Sequence, residues 1–484
     1  WAEDELFDID FHVRHFALPK PGDWRQFCIL VSRIHARTLD LARAPWEMYV
    51  IEGLDNIEGI PKGSFAVLSK IHHAAMDGTA ATELTWALHD VQRAAGAGAE
   101  PVVDASRPPP PQTLSLRSFD TLTSAFTDNL LATARMALPL AQALPGLTSA
   151  SLRLLQRTRS GADMMAPRTR FNGDVLASRV WDSVTIDLAE VKKIKSVVPG
   201  ATVNDALIAL IGGAMRRYLL SKNELPPKSL VTLAPVNTRA EGTKETASGN
   251  TIAMLRFAMG SDIEDPISRL EAVRAATMES KEIQNAIGAK HLTDLQKFAP
   301  PATLGLAGKL AALTGQGGKG PMPLHNCLVT NIPGPATPLY MLGARLVHWG
   351  GVGPVTDGMS LIWNPSSYCG KVFISLTSSP NVVPDPEFLA ACVRESFEEM
   401  KAAATVVAAK SSVEGKEVAV SGKTTKAAPA RKALAKKAPA KAKPASNGKA
   451  AVAAPTKPAN RNKAASTSKV RKAAKAAAAS PSKA

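Results

Sequence analysis

The segment Ser64–Gly78, SFAVLSKIHHAAMDG, joins an apolar run to a group of titratable residues. Its first part, Ser64–His73, is mostly apolar and predicts a buried strand. The run after Gly78, TAATELTWALHDVQRAA, has apolar residues at helical spacing and predicts a helix. The histidines therefore lie where a strand passes into a helix, a place where catalytic side chains are often presented.

The polar residues of this segment form the pattern HHxxxDG: His72, His73, Asp77 and Gly78. Histidine accounts for only 9 of the 484 residues, so this arrangement is not expected by chance. A neutral imidazole titrates near neutral pH and can take a proton from an attacking alcohol and return it to a leaving group. Asp77 can orient the loop through an ion pair, and Gly78 permits a tight turn.

Successive side chains of a strand point to opposite faces, so His72 and His73 are predicted to do different jobs. We expect one of them to face a channel and the other to pack or hydrogen-bond behind it. The remaining histidines lack such a setting and are expected to be structural or on the surface: His12, His15, His35, His89, His291, His325 and His348.

The surrounding sequence predicts an α/β protein, because strand patterns alternate with helical ones. The part before residue 410 is too long for one core, since domains usually have roughly 50–250 residues. We expect an N-terminal domain at 1–160, a linker at 161–178 and a C-terminal domain at 179–405. Each domain is expected to be layered.

Individual elements are predicted from periodicity and turn residues. The predicted strands are Phe7–Ala17, Met48–Leu54, Ser64–His73, Arg179–Ile186, Ser229–Pro235, Ala253–Ala258, Asn326–Thr330, Leu346–Trp349, Gly358–Trp363 and Lys371–Thr377. The predicted helices are Trp24–Leu41, Leu114–Gln156, a helix from Thr202 to Leu220, Pro266–Ala289 and Pro386–Ala404. Asn204 or Asp205 is expected to cap the helix that opens at TVND.

The net charge of +16 belongs to the C-terminal end of the chain. Of the 58 Lys and Arg residues, 19 follow residue 409, together with only 2 of the 42 Asp and Glu residues, so 410–484 carries +17 and the rest carries −1. This tail is rich in Ala, Lys and Pro and has no aromatic residue, so it is predicted to be disordered. The charge therefore does not make the whole chain a nucleic-acid binder.

Cysteine spacing and hydropathy exclude several classes. The four cysteines, Cys28, Cys327, Cys369 and Cys392, form no CxxC pattern, so no zinc site or disulfide framework is predicted, and a reducing, cytoplasmic setting fits best. No apolar run reaches the ~18 residues that a membrane-spanning helix needs. Because the chain opens at Trp1 without Met, we expect its N-terminus to be truncated.

HHxxxDG resembles the active-site motif of the CoA-dependent acyltransferase superfamily, and further segments are similar to the bacterial wax ester synthase/diacylglycerol acyltransferase family. These segments are FDIDFHVRHFALPKPGD (Phe7–Asp23), APWEMYVIEGL (Ala44–Leu54), APRTRFNG (Ala166–Gly173), TVNDALIAL (Thr202–Leu210), NIPGP (Asn331–Pro335) and SSYCGKVFISLTSSPNVVPD (Ser366–Asp385). They cover about residues 1–400, and their order is that of the family. One departure is Ala44-Pro45-Trp46, where the family has Pro-Leu-Trp.

The resemblance implies two layered domains like those of chloramphenicol acetyltransferase, with the active site in a channel between them, and a role for each matched residue. His73 matches the catalytic base, His72 the supporting histidine, Asp77 the structural acid and Gly78 the turn glycine. Asn204 and Asp205 match the family's ND pair near the channel. Asn331, Pro333 and Gly334 match its NVPGP segment, although their turn chemistry also fits a purely structural role.

The resemblance further implies an O-acyltransferase that forms triacylglycerol or wax esters. The substrates would be acyl-CoA and either diacylglycerol or a fatty alcohol. No metal or other cofactor is expected. Since these substrates are lipids, we expect a cytoplasmic protein that associates peripherally with a membrane or lipid-droplet surface. The tail could contact anionic lipid or nucleic acid, or be only a solvated extension.

Two alternatives remain open at this stage. A condensation-type enzyme of the same fold would use carrier-protein thioesters instead of acyl-CoA. A non-catalytic binding protein would act through the basic tail. The sequence does not identify the donors that would stabilise an oxyanion, and Asn204 is only a candidate.

Overall fold

The computed structural model describes residues 7–73, 75, 84–93, 165–237, 252–287 and 323–421. Residues Trp1–Gly422 form one compact unit. Asp77, Gly78 and the helix predicted at Leu114–Gln156 lie outside the described residues, and the helix predicted after Gly78 is described only as one turn at 84–87. The division into domains at 1–160 and 179–405 stays a prediction.

Besides the helical turn at 84–87, the described secondary structure comprises twelve strands, six α-helices and a 3-10 turn. The strands are β1 Val13–Ala17, β2 Trp46–Glu52, β3 Ala66–Ile71, β4 Val180–Asp187, β5 Val231–Asn237, β6 Ile252–Ala258, β7 Cys327–Val329, β8 Ile332–Pro333, β9 Tyr340–Met341, β10 Ala344–Arg345, β11 Leu361–Tyr368 and β12 Lys371–Ser378. The helices are α1 Ile9–His12, α2 Trp24–Ala36, α3 Leu188–Ser196, α4 Val203–Ser221, α5 Pro266–Ile287 and α6 Pro386–Ser421. A 3-10 turn lies at Arg170–Asn172.

The first sheet has the order β1-β2-β3, with β1 parallel to β2 and β3 antiparallel to it. Strand β2 alternates between buried and half-buried side chains, as a strand with one covered face should. Its buried residues Tyr49 and Ile51 pack with Phe27, Val31 and other apolar residues of α2. Among the described strands, β3, which leads to the histidine pair, is the last of this sheet and pairs with β2.

The second sheet has the order β4-β12-β11-β7-β5-β6, and β8 pairs with β11 beside this path. Strands β4, β11 and β12 are buried along most of their length, because both of their faces are covered. The largest core packs this sheet against α4, α5 and α6, with fully buried residues such as Leu210, Val273 and Leu389. The mixed α/β architecture with layered sheets confirms the predicted fold class.

Helix α2 connects the two sheets. Its first residue, Trp24, donates its Nε1 hydrogen to Asp182 Oδ1 at 2.8 Å, and its ring lies 5.6 Å from that of Trp181 in β4. Burial raises the pKa of Asp182, and the bond from Trp24 partly opposes that shift. The other end of α2 is held by His35, which bonds to Gly353 in the loop before β11.

One strand prediction and one prediction of a helix cap are wrong. Phe7–Ala17 is not one strand, because Asp8 accepts the N–H of Asp10 and caps the helical turn α1 before the strand begins at Val13. Helix α4 is capped by Thr202, not by Asn204 or Asp205. Thr202 and Asp205 form a capping box, in which each side chain accepts the backbone N–H of the other.

Two predictions in the C-terminal part are also wrong. No strand forms at Leu346–Trp349, since that segment runs as an irregular loop and the short hairpin β9–β10 precedes it. The last helix continues beyond Ala404 to Ser421, so the tail does not begin at residue 410 as predicted. Once the packed part of α6 supplies the helix nucleus, each further residue adds a backbone hydrogen bond without a new nucleation cost. Within the described ranges, no helix combines the length and apolar character needed to cross a membrane.

Candidate active site

A cavity of about 1850 Å³ lies between the two sheets. One wall consists of β3 and the inner face of α2, including Val31 and Ile34. The opposite wall consists of residues from β7, β8 and β11 and of the loop at 346–354. Most of the lining side chains are apolar, and ordinary ligand pockets are smaller, roughly 300–1,000 Å³. The space is therefore suited to more than one long apolar chain.

The two histidines of the motif line this cavity. Strand β3 ends at Ile71, where the next N–H, that of His72, bonds to Pro45 O at 2.9 Å. The chain then turns, because Ala75 N bonds to His72 O at 2.9 Å. His72 and His73 both line the cavity and both are exposed to it. Because both histidines lie beyond the end of β3, the strand pleat does not set which way they face, and the division of roles between them stays a prediction.

Asn204 and Asp205, the two residues of the ND pair, have different surroundings. Asn204 Oδ1 accepts a hydrogen bond from Asn331 Nδ2 at 3.3 Å, which links α4 to the segment before β8. Asp205 is buried and is not a lining residue. Its carboxylate accepts hydrogen bonds from Thr202 in α4's cap and from Thr277 in α5. Asn204 therefore lies beside the cavity wall, whereas Asp205 holds two helices together.

The segment Asn331–Pro335 forms part of the opposite wall. Asn331 and Pro333 line the cavity, and Gly334 does not. The segment is not a turn, because Ile332–Pro333 pairs with β11 in a parallel arrangement. A Cβ atom on Gly334 would lie 2.2 Å from Ser367 O and 2.9 Å from Trp349 Cζ3. Glycine is needed there for the close approach of two backbones.

Asn364 is a lining residue that the sequence did not indicate. It is nine-tenths buried in β11, and its Nδ2 donates to Thr330 Oγ1 at 2.5 Å. Its Oδ1 has no hydrogen-bond partner among the described residues. A buried amide oxygen in this state can accept a hydrogen bond from a substrate N–H or O–H group. The strand predicted from the sequence ended at Trp363, so Asn364 was not predicted to be a buried strand residue.

Two further histidines line the cavity and are uncharged at neutral pH. Burial lowers the pKa of His35 and of His348 to about 4 in each case. His35 Nε2 lies 3.1 Å from Gly353 O, and because a carbonyl only accepts, this nitrogen carries the proton. His348 lies edge-on to Phe373, with ring centroids 4.6 Å apart. The expectation of a structural role for these two histidines stays a prediction.

Lys70 lines the cavity as well, but its ammonium group is directed to the end of α2. It donates to Ile34 O at 3.1 Å and also to Arg37 O. Burial lowers its pKa. A cation is favoured at these carbonyls because they form the negative end of the helix dipole.

The described residues contain no group of three or more His, Cys, Asp and Glu side chains that could hold a metal ion. The four cysteines are free thiols. The absence of a metal or other cofactor from the reaction stays an expectation, as do the roles of Asp77 and Gly78.

A mixed α/β fold with paired histidines lining a cavity between two sheets fits the acyltransferase superfamily that the HHxxxDG motif resembles. Comparison with known proteins makes the assignment specific. Residues 1–207 match the wax ester synthase/diacylglycerol acyltransferase catalytic domain, and residues 248–401 match the C-terminal domain of the same family. The chain belongs to the wax ester synthase/diacylglycerol acyltransferase family, as its motifs predicted.

Similar curated proteins carry names from this enzyme class. A Mycobacterium tuberculosis protein named as a probable diacylglycerol O-acyltransferase is 31% identical over 408 residues, which cover 83% of this chain and 84% of the relative. The O-acyltransferase WSD of Acinetobacter baylyi is 30% identical over 403 residues, with 82% of each chain covered. These relatives confirm the prediction of an O-acyltransferase.

A solved structure has the same fold. The wax ester synthase/diacylglycerol acyltransferase from Marinobacter aquaeolei superposes with a TM-score of 0.56 at 24% sequence identity. The superposition covers 84% of this chain and 83% of that one. At this identity the likeness supports the fold alone.

Proposed function

We propose that the protein transfers the acyl group of an acyl-CoA to the hydroxyl of diacylglycerol or of a long-chain alcohol. The observation that carries this proposal is the exposure of His72 and His73 to a large, mainly apolar cavity. A volume of about 1850 Å³ can hold an acyl thioester and an apolar acceptor together. The names of the relatives support the same substrate classes.

In the proposed reaction, the imidazole of His73 takes the proton of the acceptor hydroxyl. The alkoxide oxygen attacks the thioester carbonyl carbon, and a tetrahedral intermediate forms. The C–S bond then breaks, and the CoA thiolate takes the proton back from His73. The products are an ester and free CoA, and no acyl-enzyme is needed. His72 supports the position of His73 in this scheme.

The test compares three histidine variants that line the same cavity. His73→Ala should lower turnover of hexadecanoyl-CoA with hexadecanol or diacylglycerol by about 10²–10⁴-fold, the usual contribution of a general base. His72→Ala should have a milder effect. His89→Ala is the matched control, because His89 is held by Thr85 O of its own turn at 2.6 Å. Near wild-type turnover of a folded His73→Ala protein would end the proposal.

The same assay separates the alternatives. Turnover with free acyl-CoA excludes a strict need for a carrier-protein thioester. If removal of residues 423–484 abolished all function while His73→Ala changed nothing, the protein would be a non-catalytic binding protein that acts through its basic tail.

The lipid substrates also support a proposed location. We place the protein at a cytoplasmic membrane or lipid-droplet surface, attached peripherally. The basic tail would add contact with anionic lipid, and nucleic acid is the competing ligand for it. Liposome binding with and without 423–484 across a salt series tests this role, since an electrostatic contact weakens as salt rises.

A further inference from the structure

The hairpin formed by β9 and β10 ends in a leucine that is almost fully exposed. Met341 pairs with Ala344, so Leu342 and Gly343 form a two-residue turn. Both have positive φ, +49° for Leu342 and +82° for Gly343, which is the pattern of a type I′ turn. The Leu342 side chain is 97% exposed.

Leucine is an unfavourable choice at this turn position. A side chain with a Cβ is disfavoured at positive φ, and Asn, Asp or Gly normally occupies the first place of such a turn. Packing against the rest of the protein does not offset this unfavourable backbone conformation, because the Leu342 side chain is exposed to solvent. An unfavourable backbone conformation combined with an exposed apolar side chain points to a partner outside the chain.

Leu342 is not a single scattered apolar residue. The segment at 84–93 is paired with the hairpin, because Asp90 and Tyr340 exchange backbone hydrogen bonds of 2.7 and 2.8 Å. This segment carries three more exposed apolar side chains, Trp86 at 52%, Leu88 at 40% and Val91 at 70%. We call Trp86, Leu88, Val91 and Leu342 the apolar rim.

The apolar rim borders the cavity that contains the histidine pair. Trp86 and Leu88 line the cavity, and so do Met341 and Ala344 on either side of the hairpin turn. Two exposed cations, Arg93 and Arg345, lie in the same two segments and also line it. Apolar side chains flanked by arginine complement a phospholipid surface, whose headgroups are polar or anionic and whose interior is apolar.

We propose that the apolar rim is the surface by which the protein docks on a phospholipid membrane, with Leu342 inserted into the acyl-chain boundary. The cavity would then open toward the membrane, so that an apolar acceptor enters it without crossing water. The benefit of this arrangement rests on the proposed acyltransferase function, but the docking itself can be measured without turnover.

The test replaces Leu342 by the residue that suits its backbone. In the full-length chain, Leu342→Asn puts a residue that tolerates positive φ into the turn, so the fold should be kept or strengthened. Binding is measured by co-sedimentation with phosphatidylcholine vesicles at high salt, where electrostatic attraction through the tail is screened. We expect about tenfold weaker partition, because insertion of a leucine side chain is worth at least that factor.

Leu176→Asn is the matched control, since Leu176 is 51% exposed and is not a cavity-lining residue. It should leave vesicle partition unchanged. Equal partition of Leu342→Asn and wild type, or no binding of wild type to these vesicles, overturns the proposal. A change in self-association without a change in vesicle binding also overturns it, because the apolar rim would then cover a second copy of the chain.

Activity measurements separate this proposal from the proposed function. Leu342→Asn should lower turnover of vesicle-borne diacylglycerol and leave turnover of dissolved short-chain substrates within about twofold, since the hairpin tip is outside the cavity. If no substrate of either kind is turned over by wild type, the proposed function fails, and the vesicle-binding result still decides the docking surface. Equal loss on both substrates overturns the assignment of Leu342 to docking.

Discussion

Replacement of Asp205 by alanine should destabilise the protein without removing a group from the cavity. Asp205 lies in the first turn of α4 and is 1% exposed. Its Oδ2 accepts the N–H and the hydroxyl of Thr202, both at 2.8 Å. Its Oδ1 accepts the hydroxyl of Thr277 in α5, also at 2.8 Å. One carboxylate thus joins the start of α4 to the middle of α5.

The expected loss follows from what each donor can do after the carboxylate is removed. The Thr277 hydroxyl keeps a second acceptor, Arg274 O at 3.0 Å. The N–H of Thr202 has lost its partner, and hydrogen bonds to a charged group contribute roughly 1.5–3 kcal/mol each. With the small void left by the side chain, Asp205→Ala should lower the free energy of unfolding by about 3 kcal/mol.

Asparagine at the same position should cost less, about 1 kcal/mol, because its carbonyl still accepts from Thr202 and its amide can donate to the Thr277 hydroxyl. The free energy of unfolding is measured by urea titration followed by fluorescence, and turnover is measured on the folded protein without urea. Asp262→Ala is the control, since Asp262 is exposed and surface substitutions usually change stability by less than about 0.5 kcal/mol.

The opposite pattern would refute this reasoning. If Asp205→Ala and Asp205→Asn kept the wild-type free energy of unfolding but lost turnover about 100-fold, the carboxylate would act on the substrate instead of holding α4 and α5 together. The channel role implied by the family's ND pair would then be correct for Asp205.

Two further predictions concern the walls of the cavity. Gly334→Ala should lower the free energy of unfolding by about 2–3 kcal/mol, because its Cβ would lie 2.2 Å from Ser367 O in β11, and an unchanged urea midpoint would contradict this. The pKa of His35 and of His348 is about 4 in the folded protein and 6.5 in the unfolded chain. Below pH 6.5 the unfolded chain therefore takes up protons that the folded protein does not, and the free energy of unfolding falls as the pH drops from 6.5 toward 4. The free energy of unfolding should fall by up to about 1.4 kcal/mol per pH unit for each histidine, and His35→Gln, which keeps a donor for Gly353 O, should make the profile less steep. Parallel profiles for wild type and His35→Gln in urea titrations across this pH range would show that His35 does not contribute.

Several features of the fold could be predicted because they depend on neighbours in the chain. The strands at β2, β5 and β12 and the helices α2, α4 and α5 follow periodicity that is visible in short windows. The errors lie mainly at boundaries. The choice of Thr202 instead of Asn204 as the cap of α4 depends on which side chain reaches a backbone N–H, and a row of good capping residues does not reveal that.

The candidate site shows the same division. The HHxxxDG pattern predicted a histidine pair that does line the cavity. The end of β3 at Ile71 is set by the turn that follows, so the alternation of faces along a strand does not extend to these two side chains. Asn364 was missed because its burial comes from strands and loops that are distant in sequence. The contact of Asn204 with Asn331 joins residues 127 positions apart, which only the tertiary structure brings together.

The sequence by itself determined the family and the enzyme class, because these depend on rare residue types at fixed spacing. It also determined that the basic charge belongs to the end of the chain. Only the tertiary structure decided that both histidines line one cavity, that Asp205 is used between two helices and that Leu342 is exposed at the tip of a hairpin whose neighbouring residues line the cavity. Burial and hydrogen-bond partners are properties of distant segments brought into contact, and a pattern read along the chain contains no information on those distances.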